Sequence, residues 1–94
     1  MSSNLFTQKQ VEILKRSAER LRLSLSESTD PVAKDFLNGE LGNIINQILN
    51  QDVIAPFKDI PHFEKMTRDY LPDSEEEYFD FYSLAKYGKS AYKN

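Results

Sequence analysis

Val11, Leu14, Ala18, Leu21 and Leu25 recur at alternating intervals of three and four residues, which aligns them on one face of a helix over 8–26. A stripe of that length is unfavourable in water and requires other elements laid against it. Thr7 stands where an N-cap acceptor is needed. The opposite face carries Arg16 and Arg20, with Glu12 four residues before Arg16 in the favourable orientation for an exposed ion pair. Both arginines read as a solvated face.

The elements available to cover that stripe are also helical. Asp30 followed by Pro31 pairs a cap acceptor with a residue whose missing N–H costs nothing at the first helical position, predicting a helix over 31–38. Gly39 then permits a left-handed ending or a tight corner. Over 40–51, Leu41, Ile44, Ile45 and Ile48 share a face with Leu49 beside it, which predicts the helix at the centre of the core. Gly42 in its first turn lowers helix propensity by about 1 kcal/mol relative to Ala. It either admits the close approach of another segment or marks where the helix begins.

Residues 53–60 contain Pro56 and read as an extended connector in which Val53, Ile54 and Phe57 cover the end of the core. A lone strand there would have no partner. Asp59 and Pro61 repeat the cap-then-proline pattern, and Phe63, Met66, Thr67 and Tyr70 predict a helix over 61–70 that Pro72 ends. Ser74-Glu75-Glu76-Glu77 fits a capping box ahead of a last helix over 75–87, with Gly88 as terminator. Its inner stripe is Tyr78, Phe81, Tyr82 and Ala85, while Phe79, Leu84 and Tyr87 fall off that stripe.

These segments predict an all-α fold, a compact bundle of four to five short helices forming one domain over 1–94. The core is expected around Leu14, Leu21, Ile44, Ile45, Ile48, Phe63, Phe81 and Tyr82. An apolar content of 39% in 94 residues can furnish one core. The absence of Cys excludes disulfides and thiolate metal sites. No run approaches the roughly 20 apolar residues that span a bilayer, and no signal-peptide core is visible. The expected setting is the cytoplasm.

Charge is distributed unevenly. Residues 69–82 hold six carboxylates, five aromatic rings and no Lys or Arg, in a chain of net charge −3. Such a field repels phosphate backbones and steers basic proteins, so direct nucleic-acid binding is disfavoured. Glu75, Glu76 and Glu77 are also explained by the positive end of the helix dipole they precede. That leaves Asp69, Asp73 and Asp80, and aromatic rings beside charge, as the pattern of an interface. The expected partner-binding set is Asp69, Tyr70, Asp73, Glu76, Tyr78, Phe79 and Asp80.

Catalytic, cofactor and metal residues are not expected. His62 is the sole histidine and reads as a first-turn residue, without the Cys or second His that a nucleophile or zinc site needs. The spacing of Asp73, Glu75, Glu76, Glu77 and Asp80 lacks the alternation and central glycine of an EF-hand loop. Gly88-Lys89-Ser90 matches the tail of a phosphate loop, but Ser83 stands where the earlier glycine belongs and no strand precedes it. Glu12 and Glu19 dilute the basic face of the first helix, which argues against a membrane surface.

The run Phe36-Leu37-Asn38-Gly39-Glu40-Leu41-Gly42-Asn43-Ile44-Ile45-Asn46-Gln47-Ile48-Leu49 resembles a segment common in small helical immunity proteins of bacterial polymorphic-toxin and contact-dependent growth inhibition systems. Those proteins often have an apolar pair, Gly-Glu-x-Gly and then an apolar helix. Asn46, Gln47 and Asn50 stand where relatives commonly carry acids and alanine. The resemblance implies inhibition by binding, with no catalytic residue to transfer.

Both lines lead to the same expectation, an immunity protein that neutralises a cognate basic toxin, a nuclease domain, as a monomer or weak homodimer without a cofactor. The alternative is a regulatory or assembly subunit, of a kind a phage could encode, docking Phe79, Leu84 and Tyr87 on a larger protein. A helical nucleic-acid regulator would need Lys9, Lys15, Arg16, Arg20 and Arg22 on one face, and helical spacing spreads them around the cylinder.

Overall fold

The computed structural model describes residues 5–60 and 74–89. The predicted helix over 61–70, with His62, Phe63 and Met66, lies outside the described residues. Within them the fold is all-α, with four helices: α1 (Gln8–Glu27), α2 (Pro31–Asn38), α3 (Glu40–Leu49) and α4 (Glu75–Tyr87).

Helix α1 starts where local chemistry dictates. Thr7 Oγ1 accepts from the Gln10 amide at 3.1 Å, and Gln10 Oε1 accepts from the Thr7 amide at 2.8 Å. This reciprocal box satisfies two otherwise orphaned donors. The expected stripe is buried in full: Val11, Leu14, Ala18, Leu21 and Leu25, joined by Ser17. Helices α2, α3 and α4 all pack on α1. The centre of the bundle is therefore α1, and not the helix starting at Glu40 as the sequence suggested. At five turns α1 is long enough to touch every neighbour, whereas α3 presents a shorter face.

Asp30 caps α2 by accepting from the Val32 amide at 3.0 Å, with Pro31 at the first helical position. Gly39 closes α2 and opens α3 at the same residue, with φ −106° and ψ −149°. It makes the tight corner and not the left-handed ending. Just beyond it, a Cβ added to Gly42 would fall 1.6 Å from the backbone oxygen of Leu37. The glycine is where the carboxyl end of α2 presses against the first turn of α3, which decides between the two readings of this position.

The core joins the α1 stripe to Ala33, Phe36, Leu41, Ile45, Ile48, Ile54, Ile60, Tyr78, Phe81, Leu84 and Ala85. Ile44 and Tyr82, expected inside, are only partly buried. Ile54 and Phe57 cover the core end as expected, but Val53 is 61% exposed. The connector is pinned by single backbone bonds: the Phe6 amide donates to Ile54 O and the Phe57 amide to Ala85 O, each at 2.9 Å. Lys15 also approaches Asp52 at 3.6 Å, an exposed pair of small energetic weight. The expected Glu12–Arg16 pair does not form; Arg22 pairs with Glu19 instead.

Gly42→Ala tests the α2–α3 contact. The gain in helix propensity is outweighed by the backbone clash, so the variant should lose about 1–3 kcal/mol in urea unfolding; unchanged or higher stability would mean the corner relaxes freely.

Candidate functional site

Helix α4 runs antiparallel to α1, and three polar residues set seven apart on α1 lie along the contact. At one end Gln10 Nε2 reaches Gly88 O at 3.5 Å. At the other, Ser24 Oγ and Ser74 Oγ meet at 2.7 Å. Between them sits Ser17, whose residue is 1% exposed and whose Oγ has no hydrogen-bond partner. One turn on, Arg20 Nη2 lies 3.9 Å from Asp80 Oδ2. A polar seam thus runs between two apolar surfaces. Its members at 10, 17 and 24 were legible as a heptad series, but read singly they look like surface residues of an amphipathic helix.

The ends of α4 divide between expectation and correction. Gly88 adopts φ +72°, the left-handed ending expected of it. Any side chain there would be strained, and its Cβ would press on Gln10 and Phe6. Ser74 does not cap α4 through its side chain. Its hydroxyl is buried against Ser24, so the Ser74–Glu77 capping box is not formed and tertiary pairing takes the place of the local motif. Glu75, Glu76 and Glu77 still occupy the first turn, where they meet the helix dipole.

The expected partner-binding residues separate into three groups. Asp69, Tyr70 and Asp73 lie outside the described residues. Glu76 is exposed and Phe79 half-buried, and their spacing of three places them side by side on α4. Tyr78 and Asp80 are buried. Tyr78 belongs to the core, with its ring centroid 6.2 Å from Phe79 and 6.0 Å from Tyr82. Asp80 faces α1 beside Arg20, so its charge is turned into the seam. Arg20 is 67% exposed, as the solvated-face reading expects, while one end of its guanidinium approaches the buried carboxylate of Asp80.

Leu84, expected off the inner stripe, is buried, while Tyr87 is 63% exposed. Lys86 lies between two rings, 4.9 Å from the Tyr82 centroid and 5.6 Å from that of Tyr87. It donates to Tyr82 Oη at 3.0 Å, and that bond raises its pKa. Lys86 thus caps the aromatic end of α4 where a cation also suits the helix dipole.

Ser17, Arg20, Glu76, Glu77 and Asp80 line one hollow of about 90 Å³. Three of the five are acids and one is basic. Among the described residues no group of three or more His, Cys, Asp or Glu is placed to hold a metal ion. Among them, too, no helix is long and apolar enough to cross a membrane. No family model, curated protein or solved structure matches this chain.

Burial raises the pKa of the Tyr78 phenol well above its usual value near 10, with Tyr82 and Asp59 adding to the effect. The folded state therefore holds this proton more tightly than the unfolded chain. Its contribution to stability is complete below pH ~10 and is lost as pH rises through the interval above it. Unfolding followed across pH 9–12 should show stability falling faster in the wild type than in Tyr78→Phe; equal slopes would mean that the phenol does not govern the alkaline loss.

Proposed function

We propose that the chain is an immunity protein that binds and neutralises a cognate basic bacterial toxin, a nuclease domain, in the cytoplasm. The observation that supports this reading best is the first turn of α4. Exposed Glu76 stands between half-buried Glu75 and Glu77, and Phe79 lies one turn on, half-buried. This turn belongs to the 69–82 stretch that contains no Lys or Arg. Carboxylates at a helix start are stable in the free protein, so the charge needed for binding adds no folding penalty. Phe79 offers a ring at the edge of that charge, and partly exposed rings beside steering charges are what a specific interface uses as anchors.

In this reading the protein acts without catalysis or a cofactor, as a monomer or weak homodimer, by covering the basic surface with which the toxin holds nucleic acid. Charge attraction shortens the search for the toxin, which suits an inhibitor that must act before damage accumulates. The likeness of residues 36–49 to immunity-protein segments supports the same reading. Burial of Tyr78 and Asp80 narrows the contact to Glu76 and Phe79 among the described residues, with Asp69, Tyr70 and Asp73 as the sequence-level extension.

The competing reading, a regulatory or assembly subunit docking an apolar face of α4, draws on exposed Tyr87 but loses Leu84 to the core. The two differ in salt response. Tagged protein should capture from the source cells a basic polypeptide with nuclease activity, which elutes as salt rises and is retained poorly by Glu76→Lys. A partner held equally at high salt, or captured equally by Glu76→Lys, would contradict the proposal.

A further inference from the structure

Asn38 is followed by Gly39 at the corner between α2 and α3. The other described asparagines each precede a residue with a bulky side chain: Ile44 after Asn43, Gln47 after Asn46 and Gln51 after Asn50. That difference is chemical. A backbone amide nitrogen can attack the side-chain carbonyl carbon of the asparagine before it and close a cyclic imide, and a side chain on the attacking residue obstructs the approach. Glycine has none. Asn38 is also exposed, and among the described residues no hydrogen bond holds its side chain, whereas Asn50 Nδ2 is held on Asn46 O at 2.8 Å. The Gly39 amide donates to Phe36 O at 3.3 Å, beyond the usual range for such a bond, so little is lost when it lets go. Gly39 has already left the helix, and Asn38 is the last residue of α2, where helices fray.

We propose that Asn38 is a modification site, converting without a catalyst to aspartate and isoaspartate in the folded chain. Gly39 loses its amide proton to hydroxide, its nitrogen bonds to Asn38 Cγ, and the Cγ–Nδ2 bond breaks with release of ammonia. Water then opens the imide. Attack at Cγ breaks its bond to the Gly39 nitrogen and leaves aspartate; attack at the Asn38 backbone carbonyl carbon leaves isoaspartate, whose main chain runs through Cβ and Cγ and is one methylene longer. Both products weaken the corner. A carboxylate there sits at the negative end of the α2 dipole, one turn from Asp35 and two residues before Glu40. The added methylene costs more, because the contact of Leu37 with Gly42 leaves no room even for a Cβ. Packing of α2 on α3 therefore loosens as the molecule ages.

The full chain is incubated in buffer at pH 7 and at pH 9, then digested and mapped by mass spectrometry, with methyl transfer by an isoaspartyl methyltransferase marking isoaspartate. Asn38 should convert at least fivefold faster than Asn43, Asn46 or Asn50, faster at the higher pH, and carry the methyl label that Asn38→Gln abolishes. The aged chain should melt below fresh protein and below freshly prepared Asn38→Asp, which has the charge without the extra methylene. Conversion in urea but not in the folded chain, equal rates at the described asparagines, or a rate indifferent to pH would each overturn the modification site. A melting temperature unchanged by conversion would overturn the weakening of the corner.

Discussion

Burial of one face of α1 is the constraint from which the remaining structure follows. Val11, Leu14, Ala18, Leu21 and Leu25 are all within 4% of complete burial, and each fully buried leucine contributes roughly 1.5–3 kcal/mol relative to exposure. No single neighbour covers that face. Helices α3 and α2 take one side and α4 the other, so the corner at Gly39 and Gly42 and the connector carrying Ile54 are consequences of wrapping short helices around a longer one. The small residues Ser17 and Ala18 on α1 and Ala85 on α4, all buried, suit the close packing of that pair.

The price of that close packing is polarity at the contact. Gln10, Ser17, Ser24 and Arg20 bring hydrogen-bonding groups to a surface that could have been aliphatic. Gln10 and Ser24 find partners at the two caps of α4, Gly88 and Ser74, and such contacts favour one antiparallel register over its slipped alternatives more than they add net stability. Ser17 alone in the seam leaves its hydroxyl unanswered. The seam therefore ties the fold to the functional proposal: the helix that completes the core also carries the acidic first turn.

Much of this architecture was legible because it is encoded locally. Helices α2 and α4 occupy the residues that Asp30-Pro31 and Gly88 predicted, since a cap, a proline at the first position and a left-handed glycine act within one turn. What escaped was decided across the chain. Ser74 has the right neighbours for a capping box, but Ser24 is 50 residues away in sequence and offers a half-buried hydroxyl instead. Tyr78 already belonged to the predicted inner stripe, yet was also assigned to the binding surface; its burial removes it from the latter. Asp80 was classed by its charge, and only the position of Arg20 on α1 shows that this carboxylate looks inward. Leu84 likewise lay off a stripe drawn for one contact, whereas the core reaches further around α4. Composition located the acidic segment, while the division of that segment into surface and interior needed the opposing helix.

Hydrogen–deuterium exchange on the complex formed with the captured basic partner tests most directly whether α4 is the binding element. Added protection should centre on residues 74–80, with the adjoining turn of α1 around Arg20, and α2 and α3 should be unchanged. Protection centred on the corner at Gly39, or on the exposed face around Leu5 and Val53, would place the partner elsewhere and contradict the assignment of α4 as the binding element.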